Sequence, residues 1–203
     1  MCSNFHLSLE GKAAAQEFGV PFPESVDQSY FPYRPTKSQA PAKPYSLPYV
    51  VLSEKGRRTV RKMRWGLLSH WAKSELDMPQ PFNAQAEGIA SKPFFRDAIR
   101  SRRCLVPASA FFDFDSTKTR YRFELPGLHH FAFAGLFNVW NEELSTFTFI
   151  TAAPSPWFSK YHHRQPVTLV REQYFEWLDP ASKTFERLLT VEPGELKTTP
   201  EAK

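Results

Sequence analysis

The chain has 203 residues, 41% of them hydrophobic and 19 of them phenylalanine, which is enough to fill the core of one domain. A formal charge of +5 and a pI near 9.2 mildly favour polyanionic partners. The two cysteines exclude a disulfide framework or a cysteine-rich metal cluster, and no apolar run reaches the length of a membrane span. We therefore expect a cytoplasmic protein that does not enter a membrane and needs no metal or cofactor. A monomer is our expectation for its oligomeric state, although the sequence carries no sign of that state.

The first third of the chain is predicted to hold one short helix and one pair of strands. Residues 12–18 favour the helix, whereas residues 21–48, rich in proline and polar side chains, favour extended coil with brief strands. Residues 49–52 and 59–65 are expected to pair as strands around the turn Glu54-Lys55-Gly56.

A second helix is expected after Ser91, which would cap it. Its apolar side chains would share one face and its basic side chains would lie nearer solvent. The apolar set is Phe94, Phe95, Ala98 and Ile99, and the basic set is Arg96, Arg100, Arg102 and Arg103.

Strands dominate the remainder of the chain. They are predicted at residues 104–106, 111–114, 120–125, 130–137 and 146–151, the last two from their two-residue alternation. A late helix is expected at residues 171–178. The sequence thus predicts an α+β fold with a mainly antiparallel, barrel-like sheet and a few peripheral helices. We expect a single domain over residues 1–190 and a loose polar tail at residues 191–203.

Cys2 directly follows the initiator methionine. Removal of Met1 would leave a free α-amine and a thiol on one residue, with ordinary pKa values of about 7.7–8.0 and about 8.5. Such a 1,2-aminothiol condenses with an aldehyde to a stable thiazolidine ring. The alternative is that residue 2 frays in solvent and carries no function.

Three other segments place polar side chains among apolar neighbours, at Asn83, at Asp113, and at His162 with Arg164. With Cys2 they supply a nucleophile, an amide, a carboxylate and an imidazole, which is a workable catalytic set. Each also has a structural alternative. The asparagine suits a turn, the aspartate suits the solvent face of an edge strand, and the histidine pair suits a surface loop.

Six segments, in chain order, resemble motifs of the SRAP family, the SOS-response-associated peptidase-like domain. The family opens Met-Cys-Gly-Arg-Phe and continues with Trp-Gly-Leu-x-Pro-x-Trp, Asn-Ala-Arg-Ala-Glu, Arg-Cys-Leu-x-Pro-Ala, Gly-Phe-Tyr-Glu-Trp and Ile-His-x-Arg-Met-Pro. The matching segments begin at Met1, Trp65, Asn83, Arg103, Ala110 and Tyr161. The resemblance runs from residue 2 to about residue 178.

The resemblance implies binding of single-stranded DNA and capture of the ring-opened abasic-site aldehyde as a thiazolidine on processed Cys2. It also implies autoproteolytic release of the first residue and related lyase chemistry. Asn83 would hold the α-amine or the opened sugar, and Asp113 would orient the amine and move protons. His162 would act as general acid toward the sugar oxygen.

The resemblance further implies a set of DNA contacts. Arg164 would hold a flanking phosphate, and Trp71 would lie where bases part. The full set of expected DNA-binding residues is Asn4, Pro35, Thr36, Trp71, Gln85 and Arg164.

Three positions depart from the family motifs. Asn4 and Gln85 each replace an arginine used near the DNA backbone, and each lost phosphate contact flattens the salt dependence of binding by roughly one unit of slope. Asp113 replaces a glutamate and is one methylene shorter. A displacement of about 1 Å is enough to cost on the order of 100-fold in rate.

Three functions therefore stand as hypotheses. The leading one is covalent crosslinking to abasic sites in single-stranded DNA. The second is a thiol peptidase or autoprocessing enzyme that works through Cys2, His162 and Asp113. The third is a noncatalytic single-strand binder that keeps the fold without efficient chemistry.

Overall fold

The computed structural model describes residues 2, 4–32, 47–76, 78–191 and 194–201. The strands are β1 (Asn4–Leu9), β2 (Val26–Tyr30), β3 (Tyr49–Glu54), β4 (Arg57–Lys62), β5 (Arg64–Trp65), β6 (Asn83–Gln85), β7 (Arg103–Ala108), β8 (Ala110–Phe114), β9 (Arg120–Glu124), β10 (Phe131–Trp140), β11 (Leu144–Ala152), β12 (Gln165–Pro166), β13 (Thr168–Leu169) and β14 (Lys197–Pro200). The helices are α1 (Gly11–Phe18), α2 (Arg96–Ser101) and α3 (Tyr174–Leu178), with 3₁₀ turns at Phe158–Lys160, Arg171–Gln173 and Phe185–Leu188.

The strands form two sheets. A five-stranded antiparallel sheet has the order β14-β9-β8-β1-β2. A nine-stranded sheet has the order β12-β11-β10-β7-β3-β4, with β13 on β10, and with β5 and β6 pairing in parallel with β11. The sheets curl into a half-barrel with few helices, which confirms the predicted α+β, mainly antiparallel, barrel-like fold.

The core lies between the inner faces of the two sheets. Phe5 of β1 packs against Phe133 of β10 and Trp65 of β5, with ring centroids 5.7 and 5.2 Å apart. Phe133 stacks on Phe149 of β11 at 4.6 Å. Because aromatic side chains bury large apolar areas, these contacts fix the sheet that carries the N-terminus against the larger sheet.

Arg103 corrects the predicted basic face of the second helix. The helix begins at Arg96, and the chain has already entered β7 at Arg103, where the side chain is buried. Its guanidinium donates to the carbonyl oxygens of Ile99 and Trp177, both at 2.7 Å, and lies 4.2 Å from the Phe185 ring centroid. The helical period placed Arg103 near solvent, but the helix ends two residues earlier, at Ser101.

Two further boundaries differ from expectation. Ser91 closes a turn by donating to the carbonyl of Gly88 at 2.8 Å, and it does not cap the helix. In the polar tail, residues 197–200 are not loose but form β14, which pairs with β9. Across the part of the chain that the structure describes, no helix is long and apolar enough to cross a membrane.

Candidate functional site

Cys2 lies buried immediately before β1, with 1% of its surface exposed. Its thiol donates a hydrogen bond to the backbone carbonyl of Asn4 at 3.4 Å. Burial, and secondarily the negative charge of Asp113, raise the pKa of the thiol from 9.0 to about 12. The residue is therefore held in the interior as a neutral thiol and does not fray in solvent.

Asn83 is the first residue of β6, opposite Phe149 of β11. Its Nδ2 donates to the backbone carbonyl oxygen of Cys2 at 2.9 Å. Its Oδ1 is buried and has no hydrogen-bond partner among the described residues. Asn83 is thus not a local turn residue but a bridge to the N-terminus that keeps one acceptor available.

Asp113 lies on β8, which runs between β1 and β9 and is therefore not an edge strand. The side chain is buried, and its Oδ1 accepts the backbone N–H of Phe114 at 2.9 Å. Pairing of Asn4 with Phe112 brings the N-terminus next to this end of β8. The negative charge of Asp113 adds to the raised pKa of Cys2 and partly offsets the lowering of the His162 pKa by burial.

His162 lies between the 3₁₀ turn at Phe158–Lys160 and β12. Its Nδ1 accepts the backbone N–H of Arg164 at 3.0 Å, so the neutral ring carries its proton on Nε2. Burial lowers the pKa of His162 below its ordinary value of 6.5, and Asp113 opposes that shift. At neutral pH the site therefore holds a neutral imidazole with one N–H to donate.

Arg164 is held by a carboxylate from the Asn83 segment. Its Nη1 and Nη2 donate to the two carboxylate oxygens of Glu87 at 2.9 and 2.8 Å, and Nη2 also donates to the carbonyl of Thr151. The hydrogen bonds from Arg164 lower the pKa of Glu87 from 4.5 to about 2. The sequence motif contained Glu87, but nothing in it indicated this pairing.

The expected DNA contacts occupy different environments. Asn4 is buried, with Nδ2 donating to the carbonyl of Tyr30 at 3.0 Å and Oδ1 accepting from Arg120, so its amide is engaged inside the protein. Gln85 is exposed at the end of β6, and Trp71 is 45% exposed against Phe94.

Pro35 and Thr36, the other two expected DNA contacts, lie outside the described residues. Among the residues that the structure does describe, no group of three or more histidine, cysteine, aspartate or glutamate side chains is arranged to hold a metal ion.

Comparison with known proteins identifies the family. The model of the SOS response associated peptidase (SRAP) family matches residues 1–201. The chain belongs to the SRAP family. The family match thus includes the buried N-terminal cysteine and every described member of the cluster around it.

Two Bacillus subtilis relatives extend this SRAP assignment over nearly the whole chain. YoaM is 34% identical over 202 residues, covering 94% of this chain and 85% of its own, and YoqW is 33% identical over 190 residues, covering 89% and 81%. Both carry the name abasic site processing protein. A solved structure from Bordetella bronchiseptica superposes with a TM-score of 0.80 at 20% identity, each chain fully covered, and shows the same fold.

Proposed function

We propose that this SRAP protein binds single-stranded DNA and forms a covalent thiazolidine between Cys2, after Met1 is removed, and the aldehyde of an abasic site. The names of YoaM and YoqW support a role in processing abasic sites in DNA. One geometric observation carries the proposal. Asn83 bonds the carbonyl of Cys2 at 2.9 Å while the charge of Asp113 reaches both Cys2 and His162.

The order of bond formation follows from the two nucleophiles of Cys2. With a pKa of about 12 the buried thiol stays protonated, so the α-amine is the first group to attack the aldehyde carbon. Loss of one water gives a Schiff base. The sulfur then adds to the same carbon while its proton passes to the nitrogen, which closes the five-membered ring with no oxidant or reductant.

The neighbouring side chains divide the proton transfers. The Nε2–H of neutral His162 donates a hydrogen bond to the sugar ring oxygen and stabilises the negative charge that develops there as the ring opens. The bond from the ring oxygen to the anomeric carbon breaks, the proton of the anomeric hydroxyl passes through water to the ring oxygen, and the aldehyde is exposed. Asp113 takes a proton from the amine and relays the thiol proton during ring closure. The acceptor of Asn83 orients the α-amine or a hydroxyl of the opened sugar.

Arg164, Gln85 and Trp71 supply the DNA contacts of the proposal. Arg164 holds a phosphate beside the abasic nucleotide, and the exposed indole of Trp71 stacks where bases part. The interior position of Asn4 suits a different role. Its backbone carbonyl accepts the thiol of Cys2, and its amide joins that segment to β2 and β9.

The thiol peptidase hypothesis fits the electrostatics less well. Cysteine peptidases use a thiolate whose pKa is lowered by a histidine cation. Here the pKa of Cys2 is raised and that of His162 is lowered, so both shifts oppose a thiolate–imidazolium pair. Release of Met1 by the protein itself remains part of the proposal, because the amine of Cys2 must be unmasked before crosslinking.

The direct test is incubation of Met1-processed protein with single-stranded DNA that carries one abasic site, followed by denaturing electrophoresis and mass spectrometry. We expect a heat-stable adduct whose mass equals protein plus DNA minus one water. A tetrahydrofuran analogue, which lacks the aldehyde, serves as the DNA control.

Cys2→Ser is the matched protein control because it keeps the α-amine and removes the sulfur. It should give only a product that needs borohydride to survive denaturation. An adduct of equal stability from Cys2→Ser, or none from the intact protein with confirmed loss of Met1, would contradict the proposal.

A further inference from the structure

Arg120 lies beside the N-terminal segment, although it is remote from it in sequence. Its Nη2 donates to Oδ1 of Asn4, the residue whose backbone carbonyl accepts the thiol of Cys2. Its guanidinium lies 4.2 Å from the centroid of the Phe112 ring. The buried amide and the aromatic face together hold this cation at the edge of the candidate site.

A carboxylate from the C-terminal end of the chain occupies the other side of Arg120. Nη1 of Arg120 lies 2.6 Å from Oε2 of Glu201, and the side chains are 35% and 31% exposed. The backbone N–H of Glu201 also donates to the carbonyl of Arg120 at 2.9 Å, continuing the β14–β9 ladder. An anion is therefore already bound at this position, in solvent reach, where a phosphate oxygen would make the same contacts.

An exposed aromatic ring lies next to this cation. Phe114 is directly opposite Arg120 in the β8–β9 pair, which separates their Cα atoms by roughly 5 Å. The Phe114 side chain is 48% exposed, and its backbone N–H is held by Asp113 at 2.9 Å. An exposed aromatic ring beside a cation is the combination that binds a base and a neighbouring phosphate of a single strand.

We propose that Arg120 and Phe114 form a nucleotide subsite next to Cys2, in which a phosphate of single-stranded DNA displaces Glu201 from Arg120 and a base stacks on Phe114. The proposal rests on the proposed function, since it extends the same DNA site. Arg122 is a weaker candidate for the phosphate contact, because its strand partner is the buried Phe112 and not the exposed Phe114, and its guanidinium lies 5.7 Å from the centroid of the Phe112 ring.

The test measures binding of single-stranded DNA without abasic sites to the full chain carrying Cys2→Ala, so that no chemistry intervenes. Arg120→Gln should weaken binding about 10-fold and lower the salt slope by roughly one. Glu201→Gln should tighten binding about 3-fold or more, since it removes the competing carboxylate. In the double variant the Glu201→Gln gain should vanish.

Matched controls come from a second exposed pair on the β3–β4 hairpin, where Arg61 Nη2 and Glu54 Oε1 are 2.5 Å apart. Arg61→Gln and Glu54→Gln change the net charge by the same amounts and should alter binding by less than about 2-fold. Arg120→Lys, which keeps the cation, guards against loss through misfolding. The proposed displacement of Glu201 by a phosphate would be overturned by either of two results. One is an equal increase in DNA affinity from Glu201→Gln and from Glu54→Gln, and the other is an increase from Glu201→Gln that persists in the Arg120→Gln background.

Stacking on Phe114 is tested separately. Phe114→Ala should weaken binding of a base-bearing oligonucleotide about 10-fold and leave binding of a tetrahydrofuran oligomer of equal length unchanged. Equal losses on both oligomers would overturn the stacking role.

The crosslinking assay with intact Cys2 separates this inference from the proposed function. If the adduct forms but the effect of Glu201→Gln on DNA affinity does not depend on Arg120, the proposed function stands and the subsite is rejected. If that effect depends on Arg120 but no adduct forms, the subsite is supported and the proposed thiazolidine crosslink is rejected.

Discussion

The side-chain amide of Asn83 donates to the backbone carbonyl oxygen of Cys2 at 2.9 Å, joining residues 81 positions apart. This contact fixes the N-terminal residue that must approach the aldehyde. We predict that Asn83→Ala slows crosslinking by roughly 100-fold, since misplacement of a reacting group by about 1 Å has an effect of that order. Single-turnover rates of adduct formation on abasic single-stranded DNA measure it.

Urea denaturation of Asn83→Ala should show a free energy of unfolding only about 1 kcal/mol lower than that of the native chain, the usual net value of one hydrogen bond. Asn138→Ala is a useful comparison, because the Nδ2 of Asn138 also donates to a backbone carbonyl, that of Leu68, at 3.1 Å, without contacting Cys2. A rate unchanged in Asn83→Ala, or lowered equally in Asn138→Ala, would remove Asn83 from the reaction.

The raised pKa of Cys2 predicts an unreactive thiol in the folded protein. With a pKa of about 12, on the order of one thiol in ten thousand is ionised at pH 8. Iodoacetamide should therefore label Cys2 more than 100-fold slower than it labels the unfolded chain. Asp113→Asn should speed labelling, because the aspartate charge raises the thiol pKa.

Cys104 is also buried with a raised pKa, so the experiment uses a Cys104→Ala background. Labelling that rises only as the protein unfolds supports burial as the cause. Rapid labelling of the folded chain at pH 8 would show that the thiol is ionised and would bring back the peptidase hypothesis.

Asp113 stands where the family motif has glutamate, and its carboxylate is turned toward its own strand at the N–H of Phe114. Asp113→Glu adds one methylene, about 1.5 Å of reach, and restores the side chain of the family motif, so we predict faster crosslinking by roughly 10-fold or more. The added methylene in a packed site should lower the free energy of unfolding by about 1–3 kcal/mol. Asp113→Asn keeps the volume and loses the charge, so it should be slow; if Asp113→Glu is equally slow, side-chain length is not limiting.

Strand positions were the most predictable part of the fold. Apart from residue 130, the alternating residues 130–137 and 146–151 fall in β10 and β11, where successive side chains face opposite sides of the sheet. Nearly all of these residues are buried, so the alternation separates two side-chain types and not a buried face from an exposed one. The burial of Cys2 was not predictable from its neighbours. It depends on the pairing of β1 with β8, which begins more than 100 residues later.

The features that the sequence did not predict depend mostly on polar contacts between residues far apart in the chain. Nothing near Arg120 in the sequence points to Asn4 or Glu201, and nothing near Arg103 points to the carbonyl of Trp177. Polar tail residues form β14 because β9 offers an open edge, and an edge strand tolerates lysine and proline. The residues of the candidate site were predictable from the order of the sequence motifs. The partners that hold those residues in place were visible only once the fold was known.

The Glu87–Arg164 pair predicts a specific acid sensitivity. The pKa of Glu87 falls from 4.5 to about 2 on folding, so its stabilisation is complete above pH 4.5 and is lost as the pH falls through about 2. Glu87 is 53% exposed, and solvent screening keeps this contribution below about 1 kcal/mol.

Urea unfolding of the native chain and of Glu87→Gln at pH 7, 5, 4 and 3 measures this contribution. The difference in free energy of unfolding should be constant at pH 7 and 5 and should shrink from pH 4 downward. A difference that is the same at pH 3 and pH 7 would show that ionisation of Glu87 is not its source.

Gly135 is required for space where β10 pairs with β7, directly opposite Cys104. A Cβ at this position would lie 2.7 Å from Sγ of Cys104 and 3.0 Å from Cγ2 of Val106. We predict that Gly135→Ala lowers the free energy of unfolding by about 1–3 kcal/mol through overpacking. Adding Cys104→Ala removes the sulfur that makes the closest contact, so the double variant should recover a large part of the lost free energy of unfolding. The interaction free energy between the two substitutions should be about 0.5–3 kcal/mol.

Gly127→Ala provides the control, because Gly127 has a φ of 73° and no atom within 4 Å of its would-be Cβ. Its cost of about 1–2 kcal/mol comes from left-handed backbone strain, and it should add to that of Cys104→Ala without coupling. Additive losses for Gly135→Ala with Cys104→Ala as well would mean that the strand, and not the cysteine side chain, resists the methyl group.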